Sequence, residues 1–346
     1  YINYTTSTTV GVTTETATDI LGRVTRYTIK EIGIDLVPRL QGIKRPSSSV
    51  DTTSYGYTGK GKLTSATVEG VTWLYSGGTV SNVTTTTRTD PASQTQVTVF
   101  NATTSTLTSF KDELNRTTSN TYDALNRLDR TTMPEGNYVS YGYDTRGNVT
   151  TTTFVSKTPS TPANIVTSAT YPATCTNPKT CNSPTSTTDA KGNVTDYTYD
   201  ATHGGVLTVT RPAAVGGGIR PQTRYSYTAL QAYYKNSGGS IVASGLPIYK
   251  PTAISSCMAT ASCTGGADEA KTTISYGPQT TGVANNLLPV SSTSGSGDGT
   301  LAATTAATYD IFGNRLTIDG PLAGTADTTR YRYDAGRQLI GVVGPD

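Results

Sequence analysis

The sequence predicts an all-β protein of repetitive antiparallel β-hairpins, on three observations. A turn pattern, Asp-x-x-Gly/Asn-Arg/Asn, recurs along the chain. Tyr-x-Tyr pairs precede several of its copies. The segments between are rich in Thr, Val and Tyr, which suit a pleated, half-buried surface. The clearest unit is Tyr138–Thr153, YVSYGYDTRGNVTTTT. Val139, Tyr141 and Tyr143 share one parity, so a strand carries all three on one face. Asp144 opens a turn, Gly147 supplies a residue able to take positive φ, and Asn148 leads into a β-branched run.

The turn reads as Asp19–Arg23, Asp112–Arg116, Asp123–Arg127, Asp144–Asn148, Asp189–Asn193 and Asp310–Asn314. Asn115 and Asn126 stand where Gly22, Gly147, Gly192 and Gly313 stand elsewhere, and Asn best tolerates left-handed backbone after Gly. Asp334–Arg337 reads as one residue shorter, and Asp200–Gly205 as looser. Tyr-x-Tyr precedes the turn position at Tyr141/Tyr143, Tyr197/Tyr199, Tyr225/Tyr227 and Tyr331/Tyr333. Tyr122 and Tyr143 are 21 residues apart, Asp310 and Asp334 are 24, and Asp112 and Asp123 are 11. A period near 20 residues describes one hairpin-sized β unit repeated along the chain.

With Tyr-Asp pairs at Tyr122-Asp123, Tyr143-Asp144, Tyr199-Asp200, Tyr309-Asp310 and Tyr333-Asp334, the chain resembles the RHS/YD-repeat family from about Asp19 to Arg337. The resemblance implies that the hairpins join into one continuous sheet that spirals into a hollow shell. Spacing alone implies only the repeated hairpins. Residues 1–346 are therefore expected to form a single repeat region, with loop excursions at about 155–188 and 235–300.

The composition is consistent with this. Of 346 residues, 15% are charged, well under the roughly 25% of an average soluble domain. A net charge of +3 spread over the chain gives no basis for nucleic-acid binding. No run of eighteen apolar residues occurs, so no transmembrane segment is expected. The chain begins Tyr1-Ile2-Asn3-Tyr4 and ends Gly344-Pro345-Asp346, and both ends are expected to be cut from something longer.

In chain order, Tyr1–Val50 opens with Thr/Val alternation. Asp35–Ser49, with two prolines, is expected to be a loop. Gly56–Leu63 nearly spells a phosphate-binding loop, but Leu63 stands where the Mg²⁺-binding hydroxyl is required. Thr58-x-x-Gly61-Lys62 fits better as a worn copy of the turn. Val68–Phe110 continues with imperfect strands and Lys111–Thr153 carries clean repeats. Phe154–Thr188 interrupts them with Pro159, Pro162, Pro172, Pro178 and Pro184, residues that central strands exclude. Repeats resume at Asp189–Tyr199. Gly216–Gly218 and Lys235–Gly239 read as turn tips, and Ser291–Thr300 as a flexible loop.

Candidate chemistry is sparse. Cys175-x5-Cys181 and Cys257-x5-Cys263 have identical spacing, each in a break between repeats. Zinc wants four Cys/His ligands at tighter spacing, so two local disulfides are expected and no metal. They imply an oxidising compartment, hence a secreted or cell-surface protein. His203, the single histidine, is expected at the surface of its variant turn, with no nucleophile partner. The turn residues Asp19, Asp112, Asp123, Asp144, Asp189, Asp310 and Asp334 are expected to bond the turn backbone. Arg23, Arg116, Arg127 and Arg337 are expected to pair with those carboxylates or stack on Tyr rather than bind a polyanion. The strand tyrosines are read as cross-strand packing in preference to sugar platforms. Asn82, Asn101, Asn148 and Asn193 head Asn-x-Thr acceptor sequences, which a Thr-rich chain produces readily. No catalytic residue, cofactor or enzymatic activity is expected.

The leading expectation is a non-catalytic structural repeat, secreted or at the cell surface. The resemblance implies a wall that encloses a C-terminal effector of the full-length chain or presents a surface for contact. The sequence itself contains neither a recognisable effector nor a terminal core segment. A self-assembling filament or matrix subunit, using copies of itself through sheet edges, is the alternative. A glycan-binding adhesin is a further one.

Overall fold

The computed structural model describes residues 2–345 except 10, 33–35, 159–161, 215, 258, 259, 261, 284 and 285. Tyr1, Asp35, Pro159 and Asp346 therefore lie outside the described residues. The described residues hold twenty-six strands and no helix. The chain divides into two compact units, residues 1–142 with 152–165, and residues 143–151 with 166–346.

The strands of the first stretch are β1 (Asn3–Thr9), β2 (Val12–Thr18), β3 (Val24–Ile32), β4 (Val37–Lys44), β5 (Thr53–Tyr57), β6 (Leu63–Val68), β7 (Val71–Val80), β8 (Val83–Thr89), β9 (Thr95–Asn101), β10 (Leu107–Lys111), β11 (Thr117–Tyr122), β12 (Leu128–Thr132) and β13 (Tyr138–Tyr143). Each pairs antiparallel with the next, from β1–β2 through β12–β13, as a plain meander. After β14 (Val149–Val155) come β15 (Ile165–Thr170), β16 (Ser186–Thr188), β17 (Val194–Tyr199), β18 (Val206–Thr210), β19 (Gln222–Lys235), β20 (Ile241–Cys257), β21 (Glu269–Tyr276), β22 (Pro289–Ser296), β23 (Ala302–Tyr309), β24 (Arg315–Asp319), β25 (Thr329–Tyr333) and β26 (Leu339–Val343). From β15 to β26 the meander repeats without a crossover.

Burial is shallow. Among the described residues, the buried apolar ones are Ala66, Val155, Cys181, Leu230 and Cys257, and strand after strand is half-exposed on both faces. The accessible surface is 21293 Å² for 36.2 kDa, whereas a compact chain of that mass exposes about 13,400 Å². Among the described residues, the strands of each unit thus bury as single layers do, with few side chains sealed into a conventional core.

Several segments differ from their sequence reading. Within Asp35–Ser49, expected to be a loop, residues 37–44 form β4. Pro38 sits at its second position, near the strand start where a missing donor is tolerated, and Pro46 follows its end. Ser291–Thr300 is no flexible loop either. Pro289–Ser296 is β22, paired on both sides, and only the Ser296–Leu301 connection turns. Gly295 permits this, because a Cβ there would stand 1.9 Å from the Leu301 carbonyl oxygen. The 235–300 span accordingly holds β20, β21 and β22, and the 155–188 span holds β15 and β16. Pro162, Pro172, Pro178 and Pro184 all fall outside strands. Tyr225 and Tyr227 lie mid-way along the 14-residue β19, with no turn after them.

Candidate functional site: the repeated strand-end turn

At Asp19, the backbone N–H bonds the Arg23 carbonyl at 3.0 Å and the Gly22 N–H returns to the Asp19 carbonyl at 2.9 Å. Gly22 takes φ +74°. This is a three-residue hairpin loop whose left-handed residue closes a bulge. The carboxylate fills the interior: Oδ1 accepts from the Leu21 and Arg23 N–H groups, both at 2.9 Å, and Oδ2 accepts from Arg23 Nε at 2.6 Å.

Asp112 and Asp123 repeat the arrangement with Arg116 and Arg127, while Asn115 and Asn126 hold the left-handed position at φ 62° and 60°. At Asp144, Asp189 and Asp310 the fifth residue is Asn, whose Nδ2 bonds the second carboxylate oxygen at 2.8–2.9 Å. Gly147, Gly192 and Gly313 take φ 90°, 81° and 85° in these turns. Asp334 corrects its reading. Its turn is full length and ends at Gln338, whose N–H meets Oδ1 at 2.8 Å, and Arg337 rather than Gly336 takes the left-handed place. Arg337 also lies over the Phe312 ring at 3.8 Å. Asp200–Gly205 is one residue longer.

The charge state follows. In Asp19, Asp112 and Asp123 the N–H of the fifth residue is the largest influence lowering the carboxyl below its ordinary value, with the Arg side chain assisting. For Asp189 the Asn193 side chain leads. At Asp144 and Asp310 burial pushes upward, but the bonds from Asn148 and Asn314 outweigh it.

A further copy escaped the sequence pattern, and the worn copy at Thr58–Lys62 is borne out. Asp90-Pro91-Ala92-Ser93-Gln94 has both backbone bonds and both Oδ1 bonds of the motif, with Ser93 at φ 65°. Thr58–Lys62 is the same turn with a hydroxyl in place of the carboxylate.

The tyrosines do more than pack. Tyr57, Tyr122, Tyr199, Tyr276 and Tyr309 are each the last residue of their strand. Each donates its hydroxyl to a carbonyl on or beside the preceding strand: Leu40, Leu107, Pro184, Pro251 and Pro289, at 2.7–2.9 Å. The register shifts by one residue at each of these tyrosines. The extra residue of each shift lies on the following strand, a β-bulge opposite the tyrosine. Burial pushes the phenols of Tyr57, Tyr199 and Tyr276 upward. Tyr141, Tyr143, Tyr331 and Tyr333 are half-buried on β13 and β25, and the Tyr197 hydroxyl meets Thr187 Oγ1 at 3.3 Å.

Cys175 and Cys181 stand at disulfide distance with Cα atoms 4.9 Å apart, as do Cys257 and Cys263 at 5.6 Å. The first pair closes a loop that docks on the variant turn: Asn177 Nδ2 donates to the Ala201 carbonyl at 2.8 Å and Lys179 Nζ donates to that of Thr202. His203 is not a surface residue. Its side chain is only 12% exposed, stacked on Tyr249 at 4.4 Å and tilted against Tyr227 at 4.6 Å. Its Nδ1 accepts the Gly205 N–H at 3.1 Å, so the ring is committed to the turn.

In the first unit, one face of β6–β9 holds an open groove of about 630 Å³, where Tyr75, Arg88, Gln96 and Lys62 stand among Thr and Gly. Arg88 Nη2 pairs with Glu113 at 3.0 Å. The groove lining contains no carboxylate, thiol or imidazole, the groups that most often serve as general acid or base.

No family model matches the chain. No curated protein matches it in sequence. Among solved structures it is similar to a chain of the TcdB2–TccC3–Cdc42 crystal structure, with TM-score 0.53 and 16% identity over 98% of this chain and 16% of that one. It is equally similar to TcdB2–TccC3 without its hypervariable C-terminal region, with TM-score 0.53 and 14% identity over 97% of this chain and 16% of that one. The chain spans about one-sixth of the length of those chains. At this identity the likeness is one of fold, an all-β antiparallel sheet of repeated strands.

Proposed function

We propose that residues 1–346 form one RHS/YD-type repeat region whose function is structural: a non-catalytic length of β wall in a secreted or cell-surface protein. The observation that carries this reading is the single-layer burial. The repeated hairpins are tied end to end by Asp and Tyr, yet both faces stay half-exposed, as a wall bounding a space requires and a self-contained domain does not. The fold likeness to a sixth of a much longer chain supports it. So does the engagement of His203 in packing. On this reading the natural partner is a C-terminal effector of the full-length chain. The cysteine pairs are disulfides that fasten loops of the wall in an oxidising compartment. Small-angle scattering of the purified chain tests it. A wall gives the profile of a thin curved sheet, whereas the profile of a solid globule of 36.2 kDa contradicts it.

One observation favours self-association as a second reading. Strand β26 pairs with β25 alone among the described residues, and its Leu339, Ile340, Val342 and Val343 are 41–65% exposed. Such an edge accepts an added strand, including one from another copy. Light scattering across a concentration series separates the readings, since copies adding edge to edge grow with concentration.

A further inference from the structure

The two cysteine pairs have unlike surroundings. Cys257 is the last residue of β20 and lies opposite Glu269, the first of β21. Arg224, on the adjoining β19, reaches across to them. Its Nη2 donates to Ser255 Oγ at 3.0 Å and lies 3.4 Å from Cys257 Sγ and 3.7 Å from Cys263 Sγ. The guanidinium is held from behind by Glu269, which is 2% exposed and 3.9 Å from the same nitrogen. Glu269 accepts bonds from Ser255 Oγ and the Gly265 N–H. Asp268 also stands near the sulfurs, with a carboxylate oxygen within 4.8 Å of both, while it holds Thr260 through two bonds. Among the described residues no side chain hydrogen-bonds the sulfur of Cys175 or Cys181, whereas Arg224 does so at the second pair. Arg146 reaches the Cys181 carbonyl, not the sulfur.

We propose that Cys257–Cys263 is a redox-exchange site, opened by small dithiols in preference to Cys175–Cys181, with Arg224 as the positioning residue that holds the sulfur released. This rests on the reading of both pairs as disulfides. Cys257 is 4% exposed and Cys263 half-buried, so the reductant's thiolate attacks Cys263 Sγ. The S–S electron pair leaves with Cys257, the sulfur nearer the guanidinium. The dithiol's second thiolate then displaces Cys263, which takes a proton. The protein disulfide gains two electrons and the dithiol leaves as its cyclic disulfide. A charge-assisted bond to the leaving thiolate speeds the first step and favours the reduced state at equilibrium. Asp268 opposes it, from farther away and with its carboxylate shared with Thr260.

Non-reducing peptide mapping of the full chain comes first. Free thiols or crossed pairing would overturn the disulfide reading and this inference with it. The mapped protein is then equilibrated in dithiothreitol buffers of graded reduced-to-oxidised ratio, alkylated and analysed by mass spectrometry. Cys257–Cys263 is expected to be half-reduced at a ratio at least about tenfold lower than Cys175–Cys181, which is about 30 mV for a two-electron couple. Arg224→Gln should remove most of that difference and Arg224→Lys should keep part of it. Asp268→Asn should widen the difference without touching Arg224, so the inference stays testable if the Arg224 variants fold poorly. Equal or reversed order in the wild type overturns the proposal, as does an Asp268→Asn shift in the opposite direction.

Discussion

At the scale of the residue, the chain is governed by how each strand end is tied. Tyr122 and Tyr199 show the tie most plainly, each donating a hydroxyl to a carbonyl on or beside the preceding strand. Tyr122→Phe and Tyr199→Phe keep the ring and remove only that bond, so each is expected to cost about 1 kcal/mol, read as a lowered urea midpoint. Backbone handedness gives a pair of predictions of opposite sign. Gly147 takes φ 90° and an added Cβ would meet nothing within 4 Å, so Gly147→Val carries a purely conformational penalty of about 1–2 kcal/mol. Ser93 takes φ 65° in the same turn position, and Ser93→Gly should raise the thermal midpoint. The turn carboxylates set the acid limit. Asp19, Asp112, Asp123, Asp144, Asp189 and Asp310 are all lowered in the folded state. A group lowered on folding stabilises above its unfolded value, about 3.9, and that stability is lost as pH falls through the folded values. Thermal midpoints should therefore stay level from neutrality to about pH 4 and drop below it.

At the scale of the element, the fastening loops carry the next test. The Cys175–Cys181 loop clasps the Asp200–Gly205 turn, and Cys175→Ser with Cys181→Ser should cost about 2–2.5 kcal/mol by chain entropy, followed as an earlier unfolding transition. This scale also shows how far the sequence could be read. The Asp turns were legible because one side chain and one left-handed residue recur at fixed spacing, and both leave a mark in the residue type. Asp90–Gln94 was not, because Ser93 hides the left-handed position and Pro91 resembles a break. Strand β22 was hidden by Ser and Gly, which signal loop on their own. They pair in a strand here because Gly295 lets the Leu301 backbone close in. The tyrosine ties coincide with a one-residue register shift, which a period-2 reading cannot contain. The surroundings of His203 and of Cys257 come from strands and loops distant in sequence, and no local pattern reports them.

At the scale of the whole molecule, single-layer sheets leave about 8,000 Å² more surface exposed than a compact chain of this mass would. On the proposed reading as a structural wall, that surface is put to use and stability rests on ties along strand ends rather than on a sealed core. The measurement that tests this most directly is a cryo-electron microscopy reconstruction of the purified chain. The expected result is a curved wall one strand layer thick, bounding a solvent-filled space, with the Tyr–Asp turns along its rims. A reconstruction showing sheets packed face to face around a filled apolar core would contradict it.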